Sequence, residues 1–112
     1  MKEIKMRDIS KSDWKLFREK IPGWQERYME KLVKEYIAFL TDESKKASTK
    51  FWELEKRIKE DKQSPGVLIR MTKSEAKWDI VRLLHDGAIT MEDLKDFSDE
   101  LKETVAYVME RY

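Results

Sequence analysis

An all-α bundle of five or six helices is the fold this sequence predicts, and three observations predict it. Apolar residues recur every three or four positions through most of the chain, the spacing of an amphipathic helix. The only prolines and glycines, Pro22, Gly23, Pro65, Gly66 and Gly87, fall between the periodic stretches. Proline lacks an N–H and glycine readily takes positive φ, so both punctuate helices and rarely sit inside them. Finally, 112 residues without a cysteine fit a single helical domain over 1–112 with one core and no disulfide or thiolate metal site.

Composition narrows the class further. Charged residues make up 42% of the chain, well above the usual quarter, yet 40% are apolar, so this is not a disordered polyelectrolyte. The longest apolar run, Tyr36 to Leu40, is far short of the ~20 residues that span a bilayer. Met1-Lys2-Glu3-Ile4-Lys5 lacks the apolar stretch of a signal peptide, and the expected location is the cytoplasm. Net charge is +1, but residues 1–77 hold 20 basic and 14 acidic side chains, and residues 78–112 hold 4 and 9. Attraction within the molecule between an acidic C-terminal region and the rest is the simplest consequence.

Residues 1–11 read as a partly ordered polar lead-in with Ile4, Met6 and Ile9. Ser12 is the expected N-cap of a short first helix, with Asp13 in its first turn, an apolar stripe of Trp14, Phe17 and Ile21, and a stop at Pro22. A central helix near 24–40 follows. Trp24, Tyr28, Met29, Leu32, Val33, Tyr36, Ile37, Phe39 and Leu40 cover more than half its circumference, which predicts neighbours on two sides. After a polar connection over 41–49, a third helix at about 47–62 carries a narrow stripe, Ala47, Phe51, Leu54 and Ile58. Nearly everything else on it is charged, including the pairs Glu53/Arg57 and Glu55/Lys59 at i,i+4, so it belongs on the outside.

Ser64-Pro65 is a cap followed by a proline at a first helical position. The stretch Val67 to Met71 fits a short strand or a helical turn. Helix is the preferred reading, because the apolar spacing continues through Trp78, Val81 and Leu84, as one long helix or as two pieces broken near Ser74. The segment from Trp78 to Leu84 should be buried, leaving Asp79, Arg82 and Asp86 as a polar stripe. Gly87 sits just past the helix end. Thr90 to Asp93 has the spacing of a capping box, and Ser98 caps a last helix with Leu101, Val105, Val108, Met109 and Tyr112 on one face.

No catalytic or cofactor motif interrupts this pattern. Ser12-Asp13-Trp14-Lys15 matches S-x-x-K, in which a lysine activates a serine, but the companion elements are missing and a helix cap explains it. His85 is the only histidine, close to a helix C-terminus where a cation is favoured; an imidazole needs partners to act as base or ligand, and Asp79 and Asp86 are the nearby carboxylates. Glu92, Asp93, Asp96, Asp99 and Glu100 crowd together without the spacing of a calcium loop. No metal and no cofactor is expected.

Four tryptophans are many for this length. Trp14, Trp24 and Trp78 fit core faces, whereas Trp52 lies about 100° from the stripe of its own helix. Exposed aromatics anchor interfaces and stack on bases. Phe51 and Trp52, with Lys56 and Lys59, are the candidate interface residues. The basic residues Lys50, Lys56, Arg57, Lys59 and Lys62, with Arg70, Lys73 and Lys77 beyond, are the one nucleic-acid candidate, broken up by Glu53, Glu55, Glu60 and Asp61. Phosphate binding by so mixed a surface would be weak and salt-sensitive.

The segments Asp13 to Trp24 and Trp78 to Thr90 together resemble a family of short, uncharacterised bacterial helical proteins. Some of its members carry transporter labels, which the lack of an apolar span contradicts. Separately, Leu84 to Leu94 is similar to the L-x-x-G-x-I-T-x-E-x-L helical hairpin of short C-terminal oligomerisation modules. Neither resemblance implies a reaction or a functional residue. The expected function is non-catalytic: protein–protein interaction or self-association as a homodimer. The alternatives are a nucleic-acid-binding accessory protein, and a small-ligand binder or enzyme around His85 and Asp79 with Tyr28 and Tyr36.

Overall fold

The computed structural model describes residues 8–112; Ile4 and Met6 of the lead-in lie outside the described residues. The molecule is elongated, 53 × 32 × 23 Å, because one long helix runs through it. Helices are α1 (Lys11–Leu40), α2 (Ala47–Asp61), α3 (Ala76–His85) and α4 (Asp99–Arg111), with a one-turn 3-10 helix at Met91–Leu94. Among the described residues there is no strand. The all-α class holds; among the described residues the count of five or six helices is corrected to four and a single 3-10 turn.

The main correction is at Pro22. The two expected helices, to Ile21 and from Trp24, are one continuous α1 with Pro22 inside it. An interior proline forfeits one hydrogen bond and crowds the preceding turn, at roughly 3 kcal/mol. Here Pro22 and Gly23 face solvent, where water satisfies the freed carbonyl, while Ile21, Trp24 and Tyr28 on either side are buried. Burying large side chains at about 1.5–3 kcal/mol each outweighs the penalty.

The cap also moves. Ser10, not Ser12, is in the extended conformation, and its Oγ accepts from Asp13 N at 3.2 Å. Ile9, immediately before the cap, is buried, which fixes the entry of the chain. Asp13 is then drawn into the core side: its carboxylate accepts from Ser98 N at 2.9 Å and from Ser98 Oγ at 2.5 Å. Ser98 Oγ in turn accepts from Leu101 N and caps α4. One serine therefore closes α4 and ties it to the first turn of α1.

This end of the molecule forms the base. Phe17, Ile21 and Trp24 of α1, Ile80 and Leu83 of α3, Leu94, Phe97, and Leu101 and Val105 of α4 are all buried in one cluster. Trp24 lies between Phe17 and Phe97, ring centroids 6.2 and 6.0 Å away. Gly87, at φ +75°, ends α3: Ala88 N donates to Leu83 O at 2.9 Å and Gly87 N to Leu84 O at 3.2 Å, the paired bonds of a left-handed cap. The Thr90/Asp93 capping box forms as expected. The expected attraction between the two ends of the chain has a concrete form: Arg27 binds both Asp93 oxygens, at 3.0 and 2.8 Å, and buried Lys77 reaches Glu100 at 3.3 Å.

Residues 65–75 are not helical, contrary to the preferred reading. Ser64 does act as a cap, but of a turn, accepting from Gly66 N and donating to Asp86 at 2.6 Å. Gln25 holds the Pro65 carbonyl at 3.0 Å. Gly66 lies so close to Tyr28 that a Cβ would sit 2.5 Å from the ring. These anchors lay the chain along α1, and beyond them burial alternates, with Val67, Ile69 and Met71 partly buried and Leu68 and Arg70 exposed. That period of two is extended chain. Trp78, expected in the core, is instead exposed, its ring edge-to-face with Tyr112 at 6.1 Å, while Asp79, expected in the polar stripe, is buried.

Candidate interaction surface

The distal half of α1 and all of α2 form a hairpin that leaves the base. Its direction follows from two contacts. Tyr36 Oη donates to Asp61, and Arg57 lies 4.2 Å from the Phe39 ring, so later residues of α1 meet earlier residues of α2 and the helices are antiparallel. Burial, the Asp61 hydrogen bond and the Asp61 charge all push the Tyr36 hydroxyl up from its ordinary value, so it remains a donor at neutral pH.

Not one residue of α2 is buried. The side it turns to α1 is Lys50, Glu53, Leu54, Arg57 and Asp61, all half-buried and mostly charged. Counting 100° per residue from Arg57, the centre of the Ala47/Phe51/Leu54/Ile58 stripe lies about 90° further round the helix. On α1, counting from Tyr36, the centre of Val33, Ile37 and Leu40 lies about 65° round in the same sense. Because the helices run in opposite directions, those two rotations bring both stripes to one side of the hairpin. The central helix thus has a neighbour on only one of its two apolar sides. Val33, Ile37 and Leu40 are 50, 55 and 39% exposed, and Phe51 is 64% exposed.

Exposed apolar residues gathered on one side, unlike scattered single ones, mark an interaction site. A shallow groove of about 440 Å³ runs along it between Phe51, Leu54 and Ile58, edged by Glu55, Lys59 and Lys62. The opposite edge, on α1, carries Glu26, Glu30 and Lys34. One edge is net negative and the other net positive.

The four candidate interface residues divide over two sides of α2. Phe51 belongs to the apolar face. Trp52, Lys56 and Lys59 lie at i, i+4 and i+7 on the outer ridge, and all three are exposed. The Trp52 ring stands edge-on to Phe51 at 5.0 Å and joins the ridge to the face. Val33, Ile37, Leu40, Leu54 and Ile58 were not singled out by the sequence. Their signal was present in the apolar arc of the central helix, wider than one neighbour covers.

The basic residues of α2 divide between two sides: Lys50 and Arg57 turn toward α1, Arg57 against Phe39, while Lys56, Lys59 and Lys62 lie within about 120° on the solvent side with Glu55 among them. Lys59 pairs with Glu55 at 3.3 Å and Arg57 with Glu53 at 3.9 Å. A reactive constellation is not assembled. His85 is exposed, while Asp79, six residues earlier, is buried and faces elsewhere. Tyr28 lines a polar cleft with Ser64, Asp61 and Asp86, and His85 is not part of it. Ser12 bonds Ser10 rather than Lys15. Among the described residues no three His, Asp or Glu side chains converge as a metal site, and no helix is long and apolar enough to cross a membrane.

Comparison with protein-family models, with curated proteins and with solved structures returned no match.

Proposed function

We propose that this protein acts without catalysis, by self-association through the apolar face of the α1–α2 hairpin. The observation that carries this reading is the α2 stripe turned about 90° away from the helix it packs on. Folding leaves that stripe wet, so association is the remaining way to bury it. A second copy is the favoured occupant because the face complements itself. A two-fold axis along the hairpin sets α1 against α2 of the other copy, which lays the apolar stripes of the two copies face to face. Four antiparallel helices with a shared apolar centre are a stable arrangement. Phe51 is the aromatic anchor of that contact, with Trp52 edge-on against it from the ridge. The cytoplasmic setting and the kinship with short bacterial helical proteins belong to the same proposal.

Sedimentation equilibrium tests it. The expected result is a monomer–dimer equilibrium weakened at least tenfold by Phe51→Ala, with the helical circular dichroism unchanged. A mass that stays monomeric up to millimolar concentration overturns the reading.

A further inference from the structure

A cleft of about 400 Å³ opens between the extended segment 65–75 and α3 and shares no residue with the hairpin face. Pro65, Leu68 and Ile69 line it on the apolar side, and Thr72, Asp79 and Arg82 on the polar side. Its polar wall is incomplete. The Asp79 side chain is only 8% exposed, yet its one ionic contact is a loose 3.6 Å from Oδ1 to Arg82, whose other nitrogen is committed to the Gln63 carbonyl at 2.8 Å. Oδ2 is buried with no donor, and so is Thr72 Oγ1 in the same cleft. Buried polar atoms in folded proteins are rarely left unmatched, and each such atom weakens the fold. Two in one cleft point to a group that supplies N–H donors from outside.

An ammonium group fits that need. It has three donors and no acceptor, and its charge offsets a carboxylate that Arg82 holds only from one side. Glu75, also on the cleft wall, favours the same charge. Arg70 lines the cleft as well and is a partner for a carboxylate. The exposed Leu68 offers a surface for a short aliphatic chain. The volume is that of a small-molecule site.

We propose that this cleft binds a small zwitterion of the amino-acid class, its ammonium on Asp79 and Thr72, its carboxylate on Arg70 and its aliphatic part against Leu68.

Titration calorimetry of the full chain with the protein amino acids, with isoamylamine and with 4-methylpentanoate tests this. At least one aliphatic amino acid should bind, the amine should bind more weakly, and the acid without an ammonium should not bind. Asp79→Asn should weaken binding at least tenfold while raising the melting temperature, a pairing that a purely structural aspartate does not give. Arg70→Met should weaken the amino acid and leave the amine unchanged. The proposal is overturned if no amino acid binds at millimolar concentration, if the acid binds as well as the amino acid, or if Asp79→Asn binds like the parent. None of these outcomes depends on whether the hairpin self-associates.

Discussion

The two ends of α1 carry similar amounts of apolar side chain and use it differently. At the base, Phe17, Ile21 and Trp24 meet α3, α4 and the loop at Phe97, and the helix is covered on the side it offers. At the hairpin end, only Tyr36 and Phe39 find cover, through an aspartate and an arginine, and Val33, Ile37 and Leu40 stay wet. The difference lies in the partner. α4 presents Leu101, Val105 and Val108 to the base, whereas α2 presents charges to α1 and keeps its apolar stripe aside. Periodicity therefore says that a helix has an apolar face but not which helix will cover it.

The sharpest break in the comparison comes from emptying one residue at each end. Phe17 is wholly buried, so Phe17→Ala should cost about 3–5 kcal/mol in a denaturant titration. Asp13→Ala comes next. It strips the acceptors from Ser98 N and Oγ at a part-buried site, and about 2 kcal/mol should be lost. A loss at Asp13 below half a kcal/mol would mean that water replaces the carboxylate and that the tie between α1 and α4 is dispensable.

The base was largely legible in the sequence because its signals are local. Ser98, the Thr90/Asp93 box and Gly87 each act within a few residues, and each appears where its spacing puts it. What was not legible depended on distant residues. Pro22 reads as a stop until the burial of Ile21 and Trp24 is known. Ser64-Pro65 reads as a helix start until Asp86 takes the serine hydroxyl and Tyr28 crowds Gly66. The candidate surface was half legible: Phe51 and Trp52 stood out by type, but the coincidence of the Phe51 side with Val33 and Ile37 needs the rotation of α2 against α1.

Asp79 sharpens the comparison from inside the base, as a buried group whose surroundings do not repay its burial. Desolvation is the main cause that raises its pKa to about 6 from an ordinary 3.8; Glu75 adds to it and Arg82 opposes it. The folded state thus holds this proton more tightly than the unfolded state. Stability from this group must rise as pH falls through 6, be complete below 3.8, and be absent above about pH 7. The shift corresponds to roughly 3 kcal/mol, of which the open cleft should leave about 1–2 after screening. Melting curves between pH 8 and pH 5 should show about half of that gain and the rest on going below pH 4, and Asp79→Asn should show it at every pH with the slope removed. Asp93 acts oppositely: burial resists its ionisation, but Arg27 and the Thr90 N–H outweigh burial and keep its pKa low. Its contribution is lost only when pH falls below the ordinary carboxylate range, so the two windows separate.

The smallest effect on stability should come from the hairpin, and its smallness is the informative part. Phe51 and Trp52 are 64 and 62% exposed, so truncating either in the isolated chain removes little buried surface. Phe51→Ala and Trp52→Ala should each change the unfolding free energy of dilute protein by about half a kcal/mol or less. The same truncation of a phenylalanine at the base costs several times that. If dilute Phe51→Ala instead loses 2 kcal/mol or more, the aromatic pair supports the hairpin itself, and the contrast between a covered base and an uncovered arm fails. If the loss appears only as protein concentration rises, the missing contact is with another molecule, since a fold that gains stability by association does so in proportion to the logarithm of its own concentration.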